Sequence, residues 1–329
     1  MEQLFDYYKK YPELILDILE YFWFDADFNK KNVIGFCTNN RYNEGHTVAI
    51  QPYIVLKICD ILAENQVMSL NFRGGALEGK TSYSFVWRNG REEWEKSKYT
   101  LLHHYNSMVY GFEYIYHYFS DKVIPIVANK GGDCSMGTVF KFHNGLITAR
   151  HCIEGHDSYS IKGYNAESLN VSKIYVSSNE NIDIAYIETG EHIDIYCDSP
   201  NVLDDILVMG YPKVPAFLDF LTAEKATIST MAQMRMTPSK GSIAAMAEEI
   251  HTYRETRLML ITAKIRGGNS GGPIINNKGC VVGVAFGEPT AEGSYDDVGY
   301  GVGMPIQVLG DIIREGITTT VKFIDWNEE

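Results

Sequence analysis

The chain has 329 residues, which exceeds one typical domain of about 100–200 residues and favours two domains. Its formal net charge of −13 argues against sequence-independent binding to phosphate backbones or to anionic membranes. Hydrophobic residues make up 45% and charged residues 22%, so the composition is that of a folded globular protein rather than a disordered one.

The start of the sequence and the cysteines indicate the compartment. Met1–Asp6 carries acids where a secretory signal would carry Lys or Arg, and no stretch reaches the roughly 18–20 apolar residues of a membrane span. The six cysteines are too few for a disulfide scaffold and form no CxxC zinc pair. We therefore expect a cytoplasmic protein with reduced thiols, without membrane contact and without a metal or cofactor.

The first 120 residues are predicted to form a mainly helical module. Apolar residues recur at helical spacing over residues 1–24, which predicts one amphipathic docking helix. The same spacing predicts a helix over Ile54–Glu64, and alternation at Met68–Phe72 and Tyr83–Trp87 predicts a hairpin after it. Leu101–Phe119 is interpreted as a helix whose many aromatic residues belong to the core.

The helix and hairpin within residues 45–90 resemble a winged-helix fold. A DNA-reading member would need a basic face, but residues 1–120 contain 12 basic and 15 acidic side chains. A module that contacts a regulatory protein partner is therefore favoured. A nucleic-acid-responsive regulator is the alternative.

An all-β domain with a short C-terminal helix is predicted for residues 121–329, because short β-branched runs alternate with Gly, Asn and Pro there. Gly137–Phe142 is predicted as a strand, His143–Gly145 as a hairpin turn and Leu146–Ala149 as the returning strand. The returning strand would deliver His151 to a cleft.

The segment Asn181–Ile187 reads as an apolar strand that contains one carboxylate, Asp183. An unpaired charge would be expensive to bury in such a strand. Asp183 therefore needs a partner, and the imidazole of His151 would supply one.

Glycines surround Ser270 in the segment Gly267–Pro273. Glycines lose backbone entropy in a strand and pack nothing, so their presence indicates a tight loop that exposes the serine hydroxyl. The same loop would aim the amides of Gly268 and Ser270 at one point, which is how an oxyanion is stabilised. A glycine-rich hairpin turn that happens to contain a serine is the alternative.

Together, these residues resemble the trypsin-like (chymotrypsin-fold) serine peptidases, and more closely the bacterial Deg type than the digestive enzymes. The resemblance covers residues 123–315 and keeps the family's order of His, Asp and Ser. The matching segments are Leu146–Cys152, Ile182–Ala185, Val208–Pro212, Gly268–Pro273, Val281–Gly287 and Gly301–Ile306.

The resemblance implies an all-β double β-barrel. Together with the mainly α module and its possible winged-helix hairpin, this makes a multidomain α+β protein the expected fold class. It also implies a serine endopeptidase that cleaves protein or peptide substrates through an acyl-enzyme, and the missing export signal makes an intracellular enzyme the expectation. Ser270 would attack the substrate carbonyl, His151 would transfer the proton and Asp183 would orient His151. A catalytically silent interaction scaffold that keeps this fold is the alternative.

The chain departs from the secreted relatives in two ways. Those enzymes carry an Asp before the nucleophile, which pairs with a newly cut N-terminus, whereas this chain has Asn269. Activation by terminal cleavage is therefore not implied, and residues 1–120 become the candidate for control. Cys134 and Cys152 lie near the positions of a family disulfide, but a bridge is not expected in a protein that is not exported.

The resemblance also assigns residues to substrate binding. Gly287 and Gly301 would line the primary side-chain pocket, and Ala285 and Phe286 would lie on the strand that pairs with the substrate backbone. Lys264 falls at the base of the pocket, where an inward ammonium would favour acidic side chains. The alternative is that Lys264 points to solvent.

Two features near this pocket are left open by the sequence. The alternatives for Arg266 are the same as those for Lys264, pointing into the pocket or to solvent. The segment Leu221–Arg257 is longer than a simple hairpin and is interpreted as a mobile loop beside the cleft.

Overall fold

The structure is a computed structural model that describes residues 4–45, 47–75, 78–212, 235–247, 258–287 and 299–326. The chain divides into two compact units, residues 1–115 and 116–329. None of the helices within the described ranges has the length and apolarity needed to span a bilayer.

The first unit is mainly helical. Its helices are α1 Leu4–Lys10, α2 Leu14–Tyr21, α3 Val33–Asn39, α4 Pro52–Glu64 and α5 Gly90–Phe119, of which α5 continues past the division at residue 115. The prediction of one helix over residues 1–24 is wrong, because Pro12 lies between α1 and α2. Its ring and its missing N–H do not suit a helix interior.

A hairpin follows α4 in the first unit. Strands β1 Met68–Phe72 and β2 Ser82–Phe85 pair antiparallel, so the predicted helix followed by a hairpin is confirmed. The prediction that the aromatic residues of Leu101–Phe119 belong to the core is confirmed at Tyr105, Tyr110, Tyr114 and Phe119, which are buried, whereas Tyr116 is exposed.

The second unit is built from β-strands. They are β3 Val123–Lys130, β4 Asp133–Thr148, β5 Ser158–Ile161, β6 Ile174–Val176, β7 Ala185–Ile193, β8 Asp205–Gly210, β9 Thr237–Ala247, β10 Leu258–Ile261, β11 Pro273–Asn276, β12 Val281–Gly287, β13 Gly301–Pro305 and β14 Thr318–Thr319. Among the described residues, these strands are accompanied by the helices α6 Ala166–Asn170 and α7 Val308–Glu315.

The strands form two sheets. One is a closed barrel in the order β10-β13-β12-β11-β8-β9, and the other has six strands in the order β14-β6-β7-β4-β3-β5. The second sheet is drawn together by the C-terminal segment, because β14 pairs with β6 at one edge and Lys322 and Ile324 hydrogen-bond to Tyr159 of β5 at the other. The predicted multidomain α+β class with an all-β second part is confirmed.

The predicted hairpin turn at His143–Gly145 is wrong. These residues lie inside β4, which pairs with β3 up to Phe140 and with β7 from His143 onward. The chain bulges there, with φ of 49° at His143 and a register shift before Gly145. A Cβ at Gly145 would lie 2.2 Å from the carbonyl oxygen of Ile187, so glycine permits the close approach of β7. The residues that predicted a turn therefore mark the point at which β4 changes its pairing partner from β3 to β7.

The interpretation of Leu221–Arg257 as one loop needs correction. Residues 237–247 within it form β9, which pairs with both β8 and β10 in the barrel. The parts at residues 221–234 and 248–257 lie outside the described residues.

Candidate active site

His151 and Asp183 are brought together by the register of two neighbouring strands. Thr148 at the end of β4 is paired with Ala185 at the start of β7. His151 follows β4 in a single 3₁₀ turn, Arg150–Cys152. Asp183 lies two residues before β7 rather than within a strand, which corrects the sequence prediction. Because both side chains leave the same edge of the sheet, they can meet.

The contact between these two residues is bidentate. His151 Nδ1 lies 2.6 Å from Asp183 Oδ2, and the main-chain amide of His151 donates to Asp183 Oδ1 at 2.9 Å. The carboxylate therefore fixes both the turn and the imidazole ring. With Nδ1 donating to the carboxylate, Nε2 is left to accept a proton.

Burial and charge at this pair suit a general base. The side chain of Asp183 is 20% exposed, whereas that of His151 is 51% exposed and can be reached by a substrate. The Asp183 carboxylate, followed by the Cys152 thiol, raises the pKa of His151 above its ordinary value. The charged imidazolium that forms during proton transfer is thereby stabilised.

The loop around Ser270 depends on two glycines in the left-handed region. Gly268 has φ of 102° and Gly271 has φ of 87°. A Cβ at Gly268 would lie 2.3 Å from the Tyr211 carbonyl oxygen, and one at Gly271 would lie 2.1 Å from the Thr138 carbonyl oxygen. Both the torsion and the space therefore require glycine.

The amides of this loop alternate between bonded and free. The amide of Asn269 donates to Arg266 O at 2.9 Å, and that of Gly271 donates to Ala285 O at 2.7 Å. The amides of Gly268 and Ser270 donate to no other residue in the described part of the chain. This leaves two main-chain donors, two residues apart, for an oxyanion.

The Ser270 main chain lies beside the turn that carries His151. Its carbonyl oxygen accepts from the Thr138 amide at 2.8 Å and lies 3.5 Å from Sγ of Cys152, the residue after His151. The Ser270 hydroxyl has no hydrogen-bond partner among the described residues, so its bond to His151 is not formed in this structure. Catalytic hydrogen bonds are often long or absent without substrate.

Asn269 is suited to its buried position. Its side chain is only 4% exposed, and its Oδ1 has no hydrogen-bond partner within the described ranges. An aspartate there would bury a charge without a partner, which costs more than an amide.

The residues assigned to substrate binding lie on the barrel beside the loop. Ala285 exchanges two main-chain hydrogen bonds with Gly271 and Gly272, and β12 pairs with β13 through Ala285–Gly303 and Gly287–Val302. Phe286, between them in β12, is partly buried and packs against the core of the six-stranded sheet.

Lys264 and its neighbours alternate in burial. Lys264 and Arg266 are exposed, whereas Ala263 and Ile265 are buried. A Cβ at Gly301 would lie 2.7 Å from the Ile265 side chain. Ile265 therefore faces Gly301. The alternation of apolar and charged residues at 263–266 could have indicated that Ile265 is buried, but not that it contacts Gly301.

Two further residues of the site were missed by sequence reasoning. Thr138 is fully buried, and its hydroxyl donates to Gly268 O at 2.7 Å and accepts from Tyr211 N at 3.0 Å. Cys152 contacts Ser270 as a free thiol, and Cys134 is also free and lies on the exposed surface. The only signal for Thr138 was a hydroxyl next to the apolar residues Val139 and Phe140.

No group of three or more His, Cys, Asp or Glu side chains is placed to hold a metal ion in the parts of the chain that the structure describes. The chemistry available at the site is that of a nucleophilic hydroxyl, an imidazole base held by a carboxylate, and two free amides. This is the chemistry of serine peptidases.

The family comparison agrees with this class. Residues 136–284 match the family model for the trypsin-like peptidase domain, which supports a serine endopeptidase. No curated protein matches the chain.

Several solved structures are similar to part of the chain. The Rv3671c protease from M. tuberculosis in its active form is 18% identical, with a TM-score of 0.47 over 63% of this chain and 86% of its own. A serine endoprotease from Yersinia pestis is 17% identical, with a TM-score of 0.41 over 61% and 64%. The HtrA-type protease AlgW with tripeptide is 16% identical, with a TM-score of 0.44 over 61% and 62%. Similarities this low assign no substrate or partner to the chain.

Proposed function

We propose that the protein is an intracellular serine endopeptidase that cleaves protein or peptide substrates with His151, Asp183 and Ser270. The observation that carries the proposal is the bidentate contact of Asp183 with the ring and the amide of His151. The free amides of Gly268 and Ser270 support it.

In the proposed reaction, Ser270 Oγ attacks the carbonyl carbon of the scissile peptide bond while His151 Nε2 takes the hydroxyl proton. The negative charge that develops on the carbonyl oxygen is held by the amides of Gly268 and Ser270. The C–N bond then breaks as His151 returns the proton to the leaving amine. Water, deprotonated by His151, releases the acyl group from Ser270.

The compartment and the regulation are part of the proposal. All six cysteines are free thiols, which suits a reducing interior such as the cytoplasm. Residues 1–115 form a compact unit that contributes none of the three proposed catalytic residues. A role in binding a regulatory protein partner would account for a module of this size.

Covalent labelling by a fluorophosphonate probe tests the catalytic proposal. The full-length protein is expected to label at Ser270, and Ser270→Ala is expected to abolish labelling. Ser168→Ala, at an exposed serine of α6, is the matched control and should label as the wild type does. A folded wild-type protein that never labels, with or without peptide substrate, would favour the interaction scaffold instead.

A further inference from the structure

Arg150, the residue before His151, connects the His151 turn to the loop that carries Asp183. Its Nε donates to Glu154 Oε1 at 2.6 Å, and its Nη1 donates to the main-chain carbonyl of Ser177 at 3.0 Å. The Arg150 side chain is only 19% exposed, so these bonds are partly shielded from water. The guanidinium therefore joins two segments that are distant in sequence.

The strand order explains why this bridge reaches the acid. Strand β7 lies between β4 and β6, and Ala185 of β7 is paired with both Thr148 and Val176. Arg150 leaves the end of β4 and bonds to Ser177 just past the end of β6. The loop that begins at Ser177 returns to the start of β7 and carries Asp183.

Hydrogen bonds inside this loop connect Ser177 to Asp183. The amide of Asn179 donates to Ser177 Oγ at 3.1 Å, and the amide of Ile182 donates to Asn179 O at 3.0 Å. The amide of Asn181 donates to the Asn179 side chain at 3.0 Å. This bonded path leads from Ser177 to Ile182, the residue before Asp183.

Glu315, the last residue of α7, holds the same loop from the other side. Its carboxylate accepts from the amide of Ser178 at 2.8 Å and from the buried hydroxyl of Ser177 at 3.2 Å. A carboxylate at a helix C-terminus is disfavoured by the helix dipole. The helix dipole would favour a cation at this position. The presence of Glu315 there therefore agrees with a role in tertiary contacts.

We propose that Arg150 is a positioning residue for the His151–Asp183 pair and that Glu315 fixes the loop segment to which Arg150 binds. The inference rests on the proposed peptidase function, in which this pair is the base and its orienting acid. Arginine suits the position because its planar fork reaches two acceptors in different directions, whereas a lysine ammonium acts as a single point charge.

Two measurements on the full-length protein test the proposal. One is the rate of fluorophosphonate labelling, and the other is the NMR titration of the His151 ring, assigned by comparison with His151→Gln. Arg150→Ala is expected to lower the labelling rate about 10- to 100-fold, because small displacements of catalytic groups cost rates of this size. Arg150→Lys should lie between Arg150→Ala and the wild type.

The direction in which the pKa of His151 shifts distinguishes a positioning role of Arg150 from a direct effect of its charge. The groups that act on the pKa of the imidazole are the Asp183 carboxylate and the Cys152 thiol, and the adjoining residue Arg150 pairs with Glu154. Loss of the Arg150 charge alone would raise the pKa of His151, because a nearby cation disfavours the imidazolium. A loosened contact with Asp183 would lower it. We expect Arg150→Ala to lower the pKa.

Glu315→Gln keeps an acceptor but loses the charge, so a smaller loss of labelling, about twofold to fivefold, is expected. Arg314→Ala, at an exposed arginine of α7 that pairs with Asp311, should match the wild type in both measurements. Thermal melting identifies variants that fail to fold. If Arg150→Ala does not fold, Arg150→Lys is used for both measurements in its place.

A folded Arg150→Ala protein with wild-type labelling and an unchanged or raised His151 pKa would overturn the inference and leave Arg150 a structural role only. Failure of the wild type to label would contradict the proposed function instead. The His151 titration would still decide whether Arg150 positions the pair, so the two failures are distinguishable.

Discussion

The buried Thr138 holds the ends of the loop around Ser270, its amide bonding to Ser270 O at 2.8 Å and its hydroxyl to Gly268 O at 2.7 Å. Thr138 lies in β4, the strand that leads to His151. The Thr138 carbonyl in turn accepts from the hydroxyl of Thr148, near the end of the same strand. One strand of the six-stranded sheet thus sets the position of both the base and the nucleophile.

Replacing Thr138 with valine should weaken both the fold and the site. Valine keeps the shape but leaves the Gly268 carbonyl and the Tyr211 amide without their partner, at a cost of about 2–4 kcal/mol in the free energy of unfolding. Urea denaturation and the labelling rate measure the two effects. Thr138→Ser keeps the hydroxyl and is the control. Equal stability of Thr138→Val and wild type would contradict the role of this hydroxyl.

The glycines around Ser270 are expected to differ sharply in tolerance. Gly271→Ala should destabilise the protein by about 3 kcal/mol, because the new Cβ meets Thr138 O at 2.1 Å in a left-handed backbone. Gly267→Ala meets no atom within 4 Å and has no left-handed φ, so it should change stability by less than about 1 kcal/mol. Thermal melts of both variants and labelling at Ser270 provide the comparison. Similar effects of the two substitutions would show that the steric argument is wrong.

The pH dependence should report the His151–Asp183 contact. The base must be unprotonated to act, and Asp183 raises the pKa of His151, so the labelling rate should rise with pH around a midpoint above the ordinary value of about 6.5. Asp183→Asn should move this midpoint down and lower the plateau rate by about 10⁴-fold. Labelling rates between pH 5 and 10 check both effects.

A matched substitution controls for the loss of one negative charge. Asp311→Asn removes an exposed carboxylate of α7 and should leave the midpoint and the plateau unchanged. If Asp183→Asn also left the midpoint unchanged, Asp183 would not be the group that sets the pKa of His151.

The choice of substrate side chain should depend on Ile265 more than on Lys264. Ile265 is buried against Gly301, so Ile265→Ala should enlarge the adjoining space and shift the preferred residue before the cut towards larger side chains, by about tenfold in relative kcat/KM. Lys264→Ala should leave the preference unchanged, because Lys264 is exposed. Digestion of a peptide library measures both. Loss of an acidic preference in Lys264→Ala would restore the hypothesis of an inward lysine.

Where sequence reasoning failed, long-range pairing was the reason. The residues His143–Gly145 are typical of a turn, but β4 continues through them. It can do so because two different strands, β3 and β7, pair with its two parts. Asp183 reads as part of an apolar strand, yet the hydrogen bonds of its own loop end before β7 begins. Periodicity carries no information on which strand lies alongside.

The sequence by itself determined the Ser270 loop and the residue types His, Asp and Ser in their order. Glycines at left-handed positions and a carboxylate in an apolar segment are visible in the sequence, because they answer to requirements of the local backbone and of the local burial. Only the tertiary structure decided that Thr138 holds the loop and that Arg150 and Glu315 hold the acid. Their partners lie up to 138 residues away, and strand order and register alone bring them within hydrogen-bonding distance.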